Sequence, residues 1–236
     1  MRRCLVWLLP VVVVVAGILF VAPVGAAPTK PFCAAYKQFV LAFGASFNAG
    51  NPTAEQIVAL QPKLDALIDT VQRTTPSVLI ADETRLMAER LHANFGAIVS
   101  NSDPAFFFDA LDTTDQWAIK HCRYKLVLVT ADDFTLKGVP KTIKPGFVAF
   151  RIKNIAANRH TVLIVRATGS ETAEELLALP VAEALKKVEV IASAITVGPG
   201  KIAVNYADIK EPGRYGAVDP EHLAEKMYAE FTVGRA

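Results

Sequence analysis

The stretch GRYGAVDPEHLAEKM, residues 213–227, decides how the second half of this chain is read. A strand-like run ends at Asp219, His222 follows after two intervening residues, and Met227 closes the segment after four more. Carboxylate, imidazole and thioether in one loop form a plausible ligand set, yet a soft metal prefers thiolate to carboxylate. A plainer reading stands beside it. Asp before Pro220 commonly opens a turn, and Met227 fits as the first core residue of a closing strand.

Outward from that segment, the chain after Tyr124 is a series of short apolar runs. KLVLVT (125–130), FVAFRI (147–152), TVLIV (161–165), 188–195, 201–204 and 227–233 read as strands. Between them stand turn residues, Pro145-Gly146, Pro199-Gly200 and Pro212-Gly213. A helical stretch at 172–187, capped by Thr172 with Glu175 and bent at Pro180, interrupts the series. Such a pattern predicts an antiparallel β-sandwich.

The preceding segment, 31–121, has helical periodicity instead. Tyr36, Phe39, Val40, Phe43 and Phe47 recur at steps of three and four and form one apolar stripe. Gly50-Asn51-Pro52 ends that helix, and Thr53 with Gln56 makes a capping box for the next. Ile57, Leu60, Leu64, Leu67, Ile68 and Val71 form its inner face. A third helix after Pro76 uses Leu79, Leu86, Met87, Leu91, Phe95 and Ile98. Asp103-Pro104 and Thr113-Thr114 are expected to begin two shorter pieces, the last ending at Cys122. His92 and His121 read as structural or solvated, and Phe106-Phe107-Phe108 as core.

Arg2 and Arg3 before an apolar run at 5–21, then Val24-Gly25-Ala26, have the build of a secretory leader. The alternative is an uncleaved N-terminal membrane anchor. The expected layout is a leader at 1–26, a helical domain at 27–123 and a sandwich at 124–236, each domain with its own core. Cys4 falls in the leader, so Cys33 and Cys122 remain and are expected to form one disulfide around the helical unit. Its reduction is expected to loosen the helices first. The chain carries 25 basic and 23 acidic residues, a balance that becomes even without Arg2 and Arg3. Near-neutral charge supplies no electrostatic reason for a nucleic acid or an anionic membrane as partner.

Two segments carry a family resemblance. FRIKNIAANRHTVLIVRA (150–167) and GRYGAVDPEHLAEKMYAEFTV (213–233) resemble a cupredoxin, the small blue-copper sandwich, over residues 125–233. In that family a histidine opens a strand soon after an asparagine, as His160 follows Asn154 here. Cys, His and Met from one late loop complete the ligands, and His222 and Met227 match the last two. Asp219 stands by spacing at the cysteine position, and no cysteine follows Cys122. The resemblance therefore implies a ligand set of His160, Asp219, His222 and Met227, suited to Cu(II) without a blue centre and less to zinc. The helical unit is similar to cysteine-stapled segments of exported actinobacterial proteins.

There is no His-Glu-x-x-His, Gly-x-Ser-x-Gly or Gly-rich phosphate loop, and residues 197–201 (VGPGK) read as a hairpin turn. The expectation is an exported, non-catalytic protein, with no membrane insertion once the leader is removed. Its alternative is a metal-free cupredoxin-like sandwich that binds an envelope or extracellular protein or serves a structural role.

Overall fold

The computed structural model describes residues 29–47, 52–99 and 104–235. The expected leader, with Gly50, Asn51 and Asp103 of the expected helix boundaries, lies outside the described residues.

Among the described residues four helices come first: α1 (Thr29–Ala45), α2 (Ala54–Thr74), α3 (Ala81–Val99) and α4 (Pro104–His121). Phe32, Tyr36, Phe39, Val40 and Phe43 bury one stripe of α1, and α2 starts on the expected capping box, with Gln56 N donating to Thr53 Oγ1 at 3.3 Å. A 3₁₀ turn, Val78–Ile80, precedes α3. Of the phenylalanine run, Phe107 is buried, whereas Phe108 is 38% exposed. His92 sits half-exposed, 3.1 Å from Asp69, and His121 stacks on Trp117.

One helix boundary differs from expectation. Thr113 and Thr114 do not begin a new helix, because α4 runs through them. Their hydroxyls donate back to Asp109 O (3.1 Å) and Ala110 O (2.8 Å). That bond lets a threonine sit inside a helix instead of capping one. Cys33 on α1 is bridged to Cys122, just past α4, with Cα atoms 5.5 Å apart.

Nine strands follow: β1 (Lys125–Asp132), β2 (Thr135–Lys137), β3 (Thr142–Ile143), β4 (Gly146–Asn154), β5 (His160–Ala167), β6 (Val188–Val197), β7 (Ile202–Ile209), β8 (Gly213–Val218) and β9 (Tyr228–Val233). Two short helices, α5 (Ala173–Leu177) and α6 (Val181–Lys186), join β5 to β6. The strands form a four-stranded sheet, β2-β1-β4-β7, and a five-stranded sheet, β3-β9-β8-β5-β6. The layout is a helical region followed by a β-sandwich. Most neighbours are antiparallel, but β1 runs parallel to β4 and β3 to β9. After β1 and its neighbour β2, the chain crosses to the other sheet at β3 and returns beside β1, so the direction is not reversed.

Alternation along β4 explains how the layers join. Val148, Phe150 and Ile152 face the inner core with Val162, Ile164 and Phe231. Ala149 points the other way, with Val204 and Tyr206 of β7, into the same apolar cluster as Phe32, Tyr36 and Leu91. The helices thus use the outer face of the four-stranded sheet as one wall of their own core, beside a second core between the two sheets. At that junction Asp115 of α4 accepts hydrogen bonds from Tyr36 (2.5 Å) and Tyr206 (2.6 Å).

Candidate metal centre

Strand pairing carries the late loop to the start of β5. β5 and β8 are antiparallel neighbours, with Leu163 opposite Val218, so the residues after β8 lie beside His160. Asn154 at the end of β4 shapes the approach to that histidine. Its amide donates to Asn158 O (2.7 Å) and Val197 O (2.8 Å), while its Oδ1 accepts from Ala156 N (2.8 Å).

Asp219 is both a turn residue and the centre of the site. Its Oδ1 caps the 3₁₀ turn Pro220–His222 by accepting from Glu221 N at 3.0 Å. That turn folds His222 back over Asp219, and His222 N donates to Asp219 O at 3.2 Å. The loop is then closed onto β9, as Met227 N donates to His222 O (3.1 Å) and Asp219 N to Met227 O (3.0 Å).

The side chains converge on one atom. His160 Nδ1 and His222 Nδ1 each lie 2.9 Å from Asp219 Oδ2. Thr161 N donates to the same oxygen at 3.3 Å. The imidazole centroids are 5.0 Å apart and the rings inclined at 59°. His160 and Asp219 are inaccessible, whereas the His222 side chain keeps 19% exposure. Phe134, itself 45% exposed, lies against the His222 ring at 5.6 Å between centroids. Nε2 of His160 is buried with no protein partner among the described residues.

One ligand atom from each of His160, Asp219 and His222 fits within a mutual spread of 4.8 Å. Bonds of about 2.0–2.2 Å to a shared ion require those atoms to draw in slightly. Two nitrogens and one carboxylate oxygen suit borderline divalent ions such as Cu(II) or Zn(II). Met227 joins the site through its backbone, and its side chain belongs to the inaccessible inner core of the sandwich.

Two contributors were not singled out in the sequence. Thr161 supplies the N–H to Asp219, and its hydroxyl contacts Thr196 (3.0 Å) and Glu221 (3.3 Å). Glu221 supplies the capping N–H and lies 3.7 Å from Arg159. The Asp219-Pro220-Glu221 turn signal points to the Glu221 amide. Nothing local points to Thr161, because its contact depends on strand pairing.

No protein-family model matches the chain, and no curated protein matches it. Among solved structures it is similar to the Na-dithionite reduced auracyanin of the photosynthetic bacterium Roseiflexus castenholzii. That similarity is 19% identity over 47% of this chain and 98% of the other, with a TM-score of 0.35. Auracyanin A, a "blue" copper protein of Chloroflexus aurantiacus, shares 18% identity over 46% of this chain and 98% of its own, at a TM-score of 0.34. A Cu-containing nitrite reductase of Thermus scotoductus shares 13% identity over 47% of this chain and 31% of its own, at 0.31. At these values the likeness says nothing about what the site holds.

Proposed function

We propose that this protein is an exported, non-catalytic metal-binding protein whose sandwich holds Cu(II) between His160, Asp219 and His222. The observation that carries the reading is the meeting of both Nδ1 atoms at one buried carboxylate oxygen. The two histidines come from separate segments, so the folded sandwich is what assembles the site. Carboxylate oxygen is harder and less covalent towards copper than thiolate, so the set favours Cu(II) over Cu(I) and should lack a blue centre. Zinc fits the same donors as the lesser ligand. Export is supported by the leader-like start and by the Cys33–Cys122 bridge, which belongs to an oxidising compartment.

Calorimetric titration of the mature protein with Cu(II) and Zn(II) tests this. One ion should bind per chain. His160→Ala and His222→Ala should each weaken binding by at least about 100-fold, and Asp219→Ala by about 10- to 100-fold. Unchanged affinity in His160→Ala would place any metal elsewhere.

A second reading rests on the same carboxylate. With Nδ1 protonated, both imidazoles donate to Asp219, and the backbone of Thr161 and Glu221 completes its acceptors. The triad is then a polar clasp between β5 and the late loop, in a metal-free module that meets an envelope partner. Purified protein that takes up neither ion would favour it.

A further inference from the structure

The outer face of the five-stranded sheet carries a half-open cavity of about 200 Å³. Its floor is the outward side of β5 and β8, with Leu163, Val165 and Val218 around Gly216, and its roof is α5 and α6. Pro220 and Leu223 of the late loop close one end.

We propose that this cavity is a binding site for one small, uncharged, apolar molecule, such as a ring compound or a medium-length aliphatic chain. Three independent features lead there. The first is the roof itself. Ala167 and Val188 are paired neighbours on β5 and β6, so a short hairpin would join them. The chain instead runs through residues 168–187, making two helices over the sheet. No side chain of α5 is fully buried, and Leu176 and Leu177 remain half-buried above the floor. Leucines held over a gap forgo dispersion contacts that an apolar occupant would restore.

The second feature is Gly216. Its backbone is not in the left-handed region, so neither a turn nor a positive φ demands glycine there. A Cβ added at this position would meet Val165 Cγ2 at 3.7 Å, an ordinary contact. Glycine in a strand forfeits packing and often marks the close approach of a ligand. Here it deepens the floor. An apolar cavity of about 150 Å³ is enough to hold benzene, so this one has room for a somewhat larger ring system.

The third is charge. Arg214 at the rim donates to Ser170 O, and Glu171 is paired with Lys187. The hydrogen bond from Lys187, with further help from Arg214, holds the Glu171 carboxyl below its usual range. Arg214 and Glu171, which line the rim, thus each already have a protein partner, Ser170 O and Lys187 in turn, and the rest of the lining is mostly apolar.

The neutral fluorophore N-phenyl-1-naphthylamine, titrated into the mature protein, tests the proposal. A saturable, one-to-one fluorescence increase is expected. Gly216→Leu fills the floor and Ala184→Leu the roof, and each should weaken binding at least tenfold while circular dichroism and the thermal midpoint stay native. Decanol should displace the probe at lower concentration than decanoate. Absence of saturable binding, native affinity in both folded variants, or stronger displacement by decanoate would overturn the assignment.

Discussion

Asp115 and Asp219 are both buried, and each gathers two polar side chains onto one carboxylate oxygen. Their partners set them apart. Asp115 meets phenols, which burial pushes further from ionising, so they remain neutral donors. With no positive charge beside it among the described residues, desolvation dominates and raises the Asp115 carboxyl to about 7 despite both hydrogen bonds. Asp219 meets imidazoles, which can carry a proton or share a cation with it. A buried carboxylate among phenols locks two layers together, whereas one among imidazoles has the makings of a cation site.

The largest effect expected on the Asp115 side comes from the disulfide. Opening Cys33–Cys122 should cost about 4–5 kcal/mol on chain-entropy grounds. Because the helical core includes Ala149, Val204 and Tyr206, unfolding followed by Trp117 fluorescence and by the His222 ring resonances should remain one transition. Two separate midpoints would show that the layers are less coupled than their shared core implies.

Asp115→Ala comes next. It strips two buried hydroxyls of their acceptor and should cost roughly 2–5 kcal/mol in denaturant titrations. The pH dependence has a definite sign. A folded-state value of about 7, above the ordinary carboxylate range, means that the folded state holds the extra proton. Asp115 therefore contributes most below about pH 4, and that stability is lost as pH rises through about 7. Asp115→Asn should remove this part of the slope, and an unchanged slope would assign it to other groups.

On the Asp219 side the sharper test is colour. Cu(II) added to the native protein should give no intense blue band, because no thiolate is present. Asp219→Cys should produce one if His160, His222 and the new sulfur surround the same point. A colourless Cu(II) complex of that variant would show that the loop does not keep such geometry. The smallest effect belongs to Met227→Leu. A volume-conserving change in the core should cost under about 1.5 kcal/mol, with Cu(II) affinity shifted no more than about threefold, because the Met227 side chain lies in the sandwich core.

Several features were legible because their free energies are local. The α1 stripe follows helical period, and the capping boxes at Thr53 and Thr172 need only a residue three positions away. Cys33 and Cys122 were paired by elimination once Cys4 was assigned to the leader. Asp219 and His222 were legible as neighbours in one loop, but His160 joined them only through resemblance, since no local rule links it to His222. Thr113-Thr114 misled, as a threonine that caps one helix can back-bond within another.

The sequence by itself determined which segments are helical or extended, where most of them begin, and which residue types were on hand for a site. Tertiary structure alone decided the rest. It paired the brief β2 with β1 and the brief β3 with β9, set β1 parallel to β4, brought Tyr206 to Asp115 across 91 positions, and left Gly216 beneath α5 and α6. The reason is physical. Period and capping act within a few residues, whereas strand order, shared cores and cavities depend on which distant surfaces meet, and no window of the chain contains both.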